Sequence, residues 1–127
     1  MNPWTAVAMA VLAVSTASQA LAEDGDAARG QRLFNQQCRT CHSLEKAGST
    51  IAGPTLHGLF GSKAGTAAGY AFSEAMIHSG IIWDDATVAD YLRDPKAKVP
   101  TTKMAYGGIR QAAQLADIVA YLKQATK

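Results

Sequence analysis

The pattern of apolar and polar positions along the chain predicts helices joined by long irregular segments. The last helix covers about residues 111–125, where apolar residues recur with the spacing of one helix face. That face consists of Leu115, Ile118, Val119 and Leu122, with Tyr121 beside it. A first helix starts near residue 27 and runs to the first cysteine, with Asp24 or Asp26 as its cap. Gly30 inside it costs about 1 kcal/mol of helix propensity, so we expect another helix to cross closely there.

Two shorter helices are predicted in the middle of the chain. Ser73 can cap one over residues 74–78. Asp84 or Asp85 can cap another, which ends before Pro95 because the residue ahead of a proline avoids helical geometry.

The remaining segments predict loops. Residues 43–69 are rich in Gly, Ser, Thr and Pro, and residues 96–108 are also irregular. No segment alternates convincingly as a strand. The sequence therefore predicts an all-α domain. A loop as long as residues 43–69 is typical of a functional segment that wraps around a bound group.

The N-terminal stretch predicts a secretory signal peptide. Residues 3–22 carry no charged side chain, and residues 20–22 form an A-x-A cleavage signal before an acidic run. An uncleaved membrane anchor is the alternative, but several Ser and Thr residues make a weak span. We expect residues 1–22 to be removed, and residues 23–127 to form one exported, periplasmic domain without a membrane anchor.

Charge adds little to the overall picture but points to one surface. The chain has 12 basic and 10 acidic residues, a formal net charge of +2. Basic residues gather between residues 93 and 110. They form either an ordinary solvated face or a docking rim for acidic partner proteins. We expect a monomer with no nucleic-acid partner.

The most informative motif is the run C-R-T-C-H, which contains Cys38, Cys41 and His42. This C-x-x-C-H pattern is typical of covalent c-type haem attachment. Each thiol adds to one vinyl group of the macrocycle, and the histidine lies beneath the ring as an iron ligand. The alternatives are a redox-active cysteine pair, which would need a βαβ pattern, and part of a zinc site, which would need two more ligands. We therefore expect one haem c, attached through Cys38 and Cys41.

A second axial ligand would decide whether the iron is closed or open to small molecules. Beyond the predicted signal peptide, Met76 lies within a predicted helix, where a core role is expected, whereas Met104 lies in an irregular segment. A loop can direct a thioether at the iron, so Met104 is favoured. His57 and His78 are weaker candidates because neither has a supporting motif.

Taken in order, these motifs closely resemble the class I cytochromes c, the soluble mitochondrial-type and bacterial periplasmic carriers. The resemblance covers nearly the whole domain after residue 22. It rests on the following segments: Gly30 and Phe34 with Tyr121, the C-x-x-C-H run, residues 53–61, residues 80–83, Tyr91 with Leu92, Pro95 with Lys96, and residues 100–104.

The resemblance implies a fold in which the N- and C-terminal helices cross, with short middle helices and long loops around one haem. It also implies roles for individual residues. The iron ligands would be His42 and Met104, and the Pro54 carbonyl would accept the His42 Nδ1 proton. The remaining haem contacts would be Leu56 near the ring, Tyr91 near the Met104 sulfur, and Trp83 and Thr102 near a propionate.

Several positions depart from the family pattern. Ser62 replaces a frequent Arg near the propionates, Phe72 replaces a Tyr, and Met76 replaces an Asn. These changes remove a cation and two polar groups from one side of the haem, so we expect a lower reduction potential than in closer relatives. Thr101 stands where a Gly is usual, and Gln37 stands where a Lys is frequent.

The predicted function is a soluble electron carrier that shuttles one electron between respiratory or photosynthetic partners. The donor would be a membrane complex or dehydrogenase, and the acceptor an oxidase, reductase or reaction centre. The basic residues Lys96, Lys98, Lys103 and Arg110 would steer acidic partners to the haem edge. The alternatives are a haem enzyme with open iron, a gas-sensing or assembly module, and a membrane-tethered carrier. With both axial positions closed, we expect no catalytic residues and no enzymatic turnover.

Overall fold

A computed structural model describes residues 25–127, and this region is helical. Its five helices are α1 (Ala27–Gln37), α2 (Glu74–Ile77), α3 (Asp85–Arg93), α4 (Pro95–Lys98) and α5 (Ala112–Ala125). No strand occurs in this region; its one β element is an isolated bridge between Lys63 and Ile82. The expected all-α class is confirmed. The predicted signal peptide, residues 1–22, lies outside the described residues and stays a prediction.

Polar side chains begin the helices where the sequence predicts caps. The Asp26 carboxylate accepts from the Arg29 N–H at 2.9 Å, and the Ser73 hydroxyl accepts from the Met76 N–H at 3.2 Å. At α3 the cap is Asp84, which accepts from the Thr87 N–H at 2.8 Å. Thr87 Oγ1 accepts in turn from the Asp84 N–H at 2.8 Å, which completes a capping box.

Pro95 has a second role that the sequence analysis missed. It follows the end of α3 as expected, but it also begins the short helix α4 inside a segment expected to be irregular. The fixed φ of proline suits the first turn of a helix, and Asp94 caps that turn by accepting from the Ala97 N–H at 3.2 Å.

The crossing of α1 and α5 is the most extensive helix–helix contact of the described chain. A Cβ atom on Gly30 would lie 2.0 Å from the backbone oxygen of Asp117 and 2.8 Å from the Tyr121 Cβ. Beside this point the rings of Phe34 and Tyr121 pack with centroids 5.5 Å apart. The expected close crossing at Gly30 is confirmed, because only a residue without a side chain permits this approach.

A hydrogen-bonded ion pair fastens the same crossing. The largely buried Asp117 carboxylate accepts from the backbone N–H of Asp26 at 2.7 Å and from Arg29 Nε at 2.9 Å. The hydrogen bond from Arg29 is the main reason that the pKa of Asp117 is lowered. The start of α1 is therefore tied directly to the middle of α5.

The other elements close around these two helices. The face predicted for the last helix, Leu115, Ile118, Val119 and Leu122, is buried. The helix α3 packs on α4 and α5, and the long segment between α1 and α2 has no helix or strand. Within residues 25–127, none of the helices combines the length and apolar character needed to cross a bilayer.

We predict that Gly30→Ala lowers the free energy of unfolding by about 1–3 kcal/mol, since the added methyl group overlaps the Asp117 backbone. Helix propensity alone would raise stability by about 1 kcal/mol, so the sign separates the two effects. Denaturant unfolding of the holoprotein measures it. Gln31→Ala, at an exposed position of the same helix, is the matched control and should change stability by less than about 0.5 kcal/mol. A stabilised Gly30→Ala protein would contradict the close crossing.

Candidate haem site

A cavity of about 480 Å³ lies between the helices and the two long loops. It is bordered by α1, the 52–59 segment, α2, α3 and the 102–106 segment. The nine residues predicted for the site all line this cavity: Cys38, Cys41, His42, Pro54, Leu56, Trp83, Tyr91, Thr102 and Met104.

The end of α1 sets the positions of the two cysteines and the histidine. The Cys38 N–H continues the helix by donating to the Phe34 carbonyl at 2.8 Å. The Cys38 carbonyl then accepts from the N–H groups of Cys41 and His42, at 3.1 and 3.0 Å. This tight turn places Cys38 in a buried position and Cys41 in an exposed one at the same cavity wall.

The thiol chemistry does not favour a redox pair. Burial raises the pKa of the Cys38 thiol to about 11, with a smaller contribution from Cys41. A reactive cysteine pair instead needs a lowered pKa that supplies thiolate at neutral pH. The zinc alternative also lacks support, since residues 25–127 contain no group of three or more His, Cys, Asp or Glu side chains that could hold a metal ion.

His42 is oriented by the backbone of the first loop. Its Nδ1 lies 2.8 Å from the Pro54 carbonyl oxygen, which is the hydrogen bond expected from the sequence. That bond places the proton on Nδ1 and leaves Nε2 as a donor atom for a metal. Burial lowers the pKa of His42, while the Pro54 hydrogen bond acts weakly in the opposite direction. The neutral imidazole needed for metal binding is therefore the favoured form.

Gly53 makes this orientation possible. A Cβ atom there would lie 2.7 Å from the Cys41 carbonyl oxygen and 3.1 Å from the His42 ring. No other residue would allow the loop to approach the imidazole so closely.

A second wall of the cavity, built from α3 and residues 102–106, contains Met104 and a pair of hydroxyl groups. The hydroxyls of Tyr91 and Thr102 are hydrogen-bonded at 2.7 Å, and the Tyr91 ring packs on Trp83 with centroids 5.3 Å apart. Burial raises the pKa of Tyr91, so its hydroxyl stays protonated at neutral pH. The expected approaches of Tyr91 to the Met104 sulfur and of Thr102 to a propionate stay predictions.

The segment leading to Met104 is held in an unusual conformation. Thr101 has φ of 66°, in the left-handed region that β-branched residues rarely adopt. Lys103 then attaches this segment to the long segment between α1 and α2, because its Nζ donates to the Ala71 carbonyl oxygen at 2.7 Å. The departure from glycine noted at residue 101 is therefore a site of backbone strain beside the candidate ligand.

The weaker axial candidates differ in position. Met76 is buried in α2 and lines the cavity, as does the exposed His57. His78 does not line it; its Nε2 lies 3.1 Å from a Glu74 carboxylate oxygen on the surface. Geometry therefore leaves Met76 as the main alternative to Met104 as partner of His42.

The basic residues at the cavity differ from those expected from the sequence. Of the four basic residues singled out in the sequence, only Lys103 lines the cavity. Lys98 lies 3.8 Å from the Asp90 carboxylate and Arg110 lies 3.4 Å from Asp94, so acidic neighbours offset part of their charge. Lys63, which the sequence analysis missed, joins Lys103 at the cavity.

Two further cavity residues gave no clear signal in the sequence. Tyr106 lies two positions after Met104 and donates a hydrogen bond to Gln37. The position of Tyr106 in the Met104 loop is the one sequence signal for it. The contact with Gln37 joins residues 69 apart, and no local pattern predicts it.

The cavity fits a covalently bound haem. Apolar side chains from four helices and both loops line it, two thiols and an oriented imidazole share one wall, and a thioether lies on the other. Among the described residues, no buried side-chain nitrogen or oxygen lacks a hydrogen-bond partner, so no buried polar side chain disfavours a flat apolar ring.

Comparison with known proteins agrees with this chemistry. Residues 27–126 match the family model of cytochrome c. Cytochrome c of Gibberella zeae is 46% identical over 81% of this chain and 97% of its own length. Cytochrome c2 of Blastochloris viridis is 44% identical over 89% of this chain and 88% of its own. The solved structure of cytochrome cH from Methylobacterium extorquens has a TM-score of 0.73 and 50% identity over 79% of this chain and 99% of that chain. The chain therefore belongs to the cytochrome c family: it binds haem c covalently, through Cys38 and Cys41, and is an electron carrier rather than an enzyme.

Proposed function

We propose that this chain is a periplasmic one-electron carrier whose haem iron is held by His42 and Met104. The observation that carries the proposal is the cavity with an oriented imidazole on one wall and a loop thioether on the other. When bound, the haem supplies a ferric/ferrous couple, and a His/Met pair raises its potential relative to His alone.

The protein's own residues prepare both axial positions. The Pro54 carbonyl orients His42 so that Nε2 is directed away from the loop. Met104 reaches the cavity from a loop, which can adjust the thioether more freely than the helix that carries Met76. Closing both axial positions excludes substrate from the iron and favours electron transfer.

The proposed export rests on residues 1–22. Their uncharged, mostly apolar pattern and the A-x-A signal support removal after Ala22. The similarity to bacterial cytochromes c2 and cH agrees with a periplasmic carrier, whereas the fungal cytochrome c shows that similarity alone does not decide the compartment.

The proposed partners are redox proteins with acidic docking surfaces. Lys63 and Lys103 at the cavity, and Lys96, Lys98 and Arg110 in the neighbouring segment, supply positive charge. Complementary charge would increase the association rate more than the affinity. A monomer is the simplest form for such a carrier, since a second copy over the cavity mouth would block access.

The axial ligands are tested by spectroscopy of the purified ferric holoprotein. We expect the weak red charge-transfer band of methionine ligation, and an intact mass equal to residues 23–127 plus one haem. Met104→Leu should abolish the band because it removes the only sulfur offered by the loop. Met76→Leu, a volume-conserving change in the buried core, is the matched control and should keep it. A band lost only in Met76→Leu would overturn the assignment.

The docking surface is tested by the rate of electron transfer to an acidic redox partner. We expect the second-order rate constant to fall at least about tenfold between low and high salt, because screening removes electrostatic steering. Lys63→Gln should slow the low-salt reaction, since Lys63 lies at the cavity. Lys123→Gln is the matched control, because Lys123 is paired with Asp85 at 2.9 Å and does not line the cavity. A rate insensitive to salt would instead indicate an apolar docking face.

The expected low potential is tested at Ser62. This residue lines the cavity, and its hydroxyl donates to the Leu59 carbonyl oxygen at 2.6 Å, so it brings no charge to the site. We expect Ser62→Arg to raise the midpoint potential by on the order of tens of millivolts, because a cation near the propionates offsets their charge. Ser62→Gln adds length without charge and should have a smaller effect. An unchanged midpoint in Ser62→Arg would refute the charge argument.

A further inference from the structure

One hydrogen bond joins two segments that line the cavity, the end of α1 and the Met104 segment. The Tyr106 hydroxyl donates to the side-chain amide oxygen of Gln37. Gln37 is the last residue of α1 and directly precedes Cys38. Tyr106 follows Met104 by two positions, and both partners of the bond line the cavity. The bond therefore connects the attachment wall to the wall that carries the thioether.

The backbone around Met104 has few other attachments. Across residues 103–108 of the described chain, no N–H or carbonyl takes part in a backbone–backbone hydrogen bond. The next such bond is from the Ile109 N–H to the Leu92 carbonyl oxygen, at 2.8 Å. Side chains hold the segment instead. The Met104 N–H donates to Thr102 Oγ1 at 3.4 Å, Lys103 donates to the Ala71 carbonyl oxygen before Met104, and Tyr106 donates to Gln37 after it.

We propose that the Tyr106–Gln37 hydrogen bond is a latch that holds the Met104 segment closed over the cavity. This inference rests on the proposed His/Met ligation. Tyr106 and Gln37 are positioning residues: they keep the thioether in place without touching the iron.

The two partners differ in mobility, which suits them to this role. Gln37 belongs to a helix fastened to α5 by the Gly30 crossing and the Asp117 ion pair, so it is a rigid point of attachment. Tyr106 belongs to the segment without backbone hydrogen bonds and precedes Gly107 and Gly108. The half-buried ring of Tyr106 packs against the core, and its hydroxyl supplies the bond to α1.

Ligand entry into the ferric holoprotein tests the latch. Imidazole can bind the iron only after Met104 leaves, so its binding rate reports how often the segment opens. We expect Tyr106→Phe, which removes only the hydroxyl, to accelerate imidazole binding roughly threefold to tenfold. Tyr121→Phe removes a hydroxyl on α5, away from the cavity, and should leave the rate unchanged.

Substitution of the hydrogen-bond acceptor, Gln37, tests the latch independently. Gln37→Leu should accelerate imidazole binding to a similar degree, whereas Gln36→Leu, at the preceding exposed position of α1, should not. In the double variant, Tyr106→Phe with Gln37→Leu, the effects should not multiply, because both changes break one bond. Faster amide hydrogen exchange of residues 103–108, with exchange elsewhere unchanged, is the second expected signature.

The outcomes separate the latch from the proposed ligation. If the unmodified protein shows the methionine band but both single variants bind imidazole at the unmodified rate, the latch is wrong and the ligation stands. If the effects of the two substitutions multiply, the residues act separately and the latch is again wrong. If the unmodified protein lacks the band, the ligation fails and the latch fails with it.

Discussion

The close approach of α1 to α5 at Gly30 is the constraint on which the site depends. With no side chain at Gly30, α1 lies against the Asp117 backbone, and the Asp117 carboxylate holds the start of the helix. The direction of α1 is then set, and with it the position of its C-terminal end relative to α5. Cys38 caps that end, and its carbonyl organises the turn to His42. The positions of Cys38 and His42 thus depend on one helix contact.

The two walls of the cavity are built by different kinds of interaction. On the His42 wall, backbone groups do the positioning: the Cys38 and Pro54 carbonyls, and the close approach of Gly53. These contacts leave little freedom. On the Met104 wall, side chains do the positioning, and Thr101 stores backbone strain beside the proposed ligand. The imidazole wall is therefore the rigid half of the site, and the thioether wall is the half that can open.

The sequence predicted the features that depend on local chemistry. The caps at Asp26, Ser73 and Asp84 are set by a side chain and an N–H three residues away, so short patterns reveal them. The C-x-x-C-H spacing is imposed by covalent attachment and is equally local. The resemblance to the family then supplied the remaining cavity residues, which no spacing alone would have brought together.

Features that depend on tertiary pairing escaped the sequence. Pro95 can end one helix or begin another, and its sequence neighbours do not show that here it does both. The basic residues near Lys98 form a cluster in the sequence, yet folding places carboxylates beside two of the four assigned to the docking rim, Lys98 and Arg110. Folding also brings Lys63 to the cavity from a distant loop.

An electron carrier needs a centre that changes little between its two oxidation states, and the walls of this site meet that need in complementary ways. The backbone hydrogen bond at His42 would keep this proposed ligand in a single tautomer and orientation in both oxidation states. A thioether is neutral in both states, so the Met104 wall needs no proton transfer. The Met104 segment needs only to stay in place over the cavity. Because no backbone–backbone hydrogen bond holds residues 103–108, the proposed latch gives the side chains of Lys103 and Tyr106 the main part in keeping it closed. Under the proposed ligation, exclusion of small ligands, which separates a carrier from a haem enzyme, would depend on these side-chain contacts as much as on the ligands themselves.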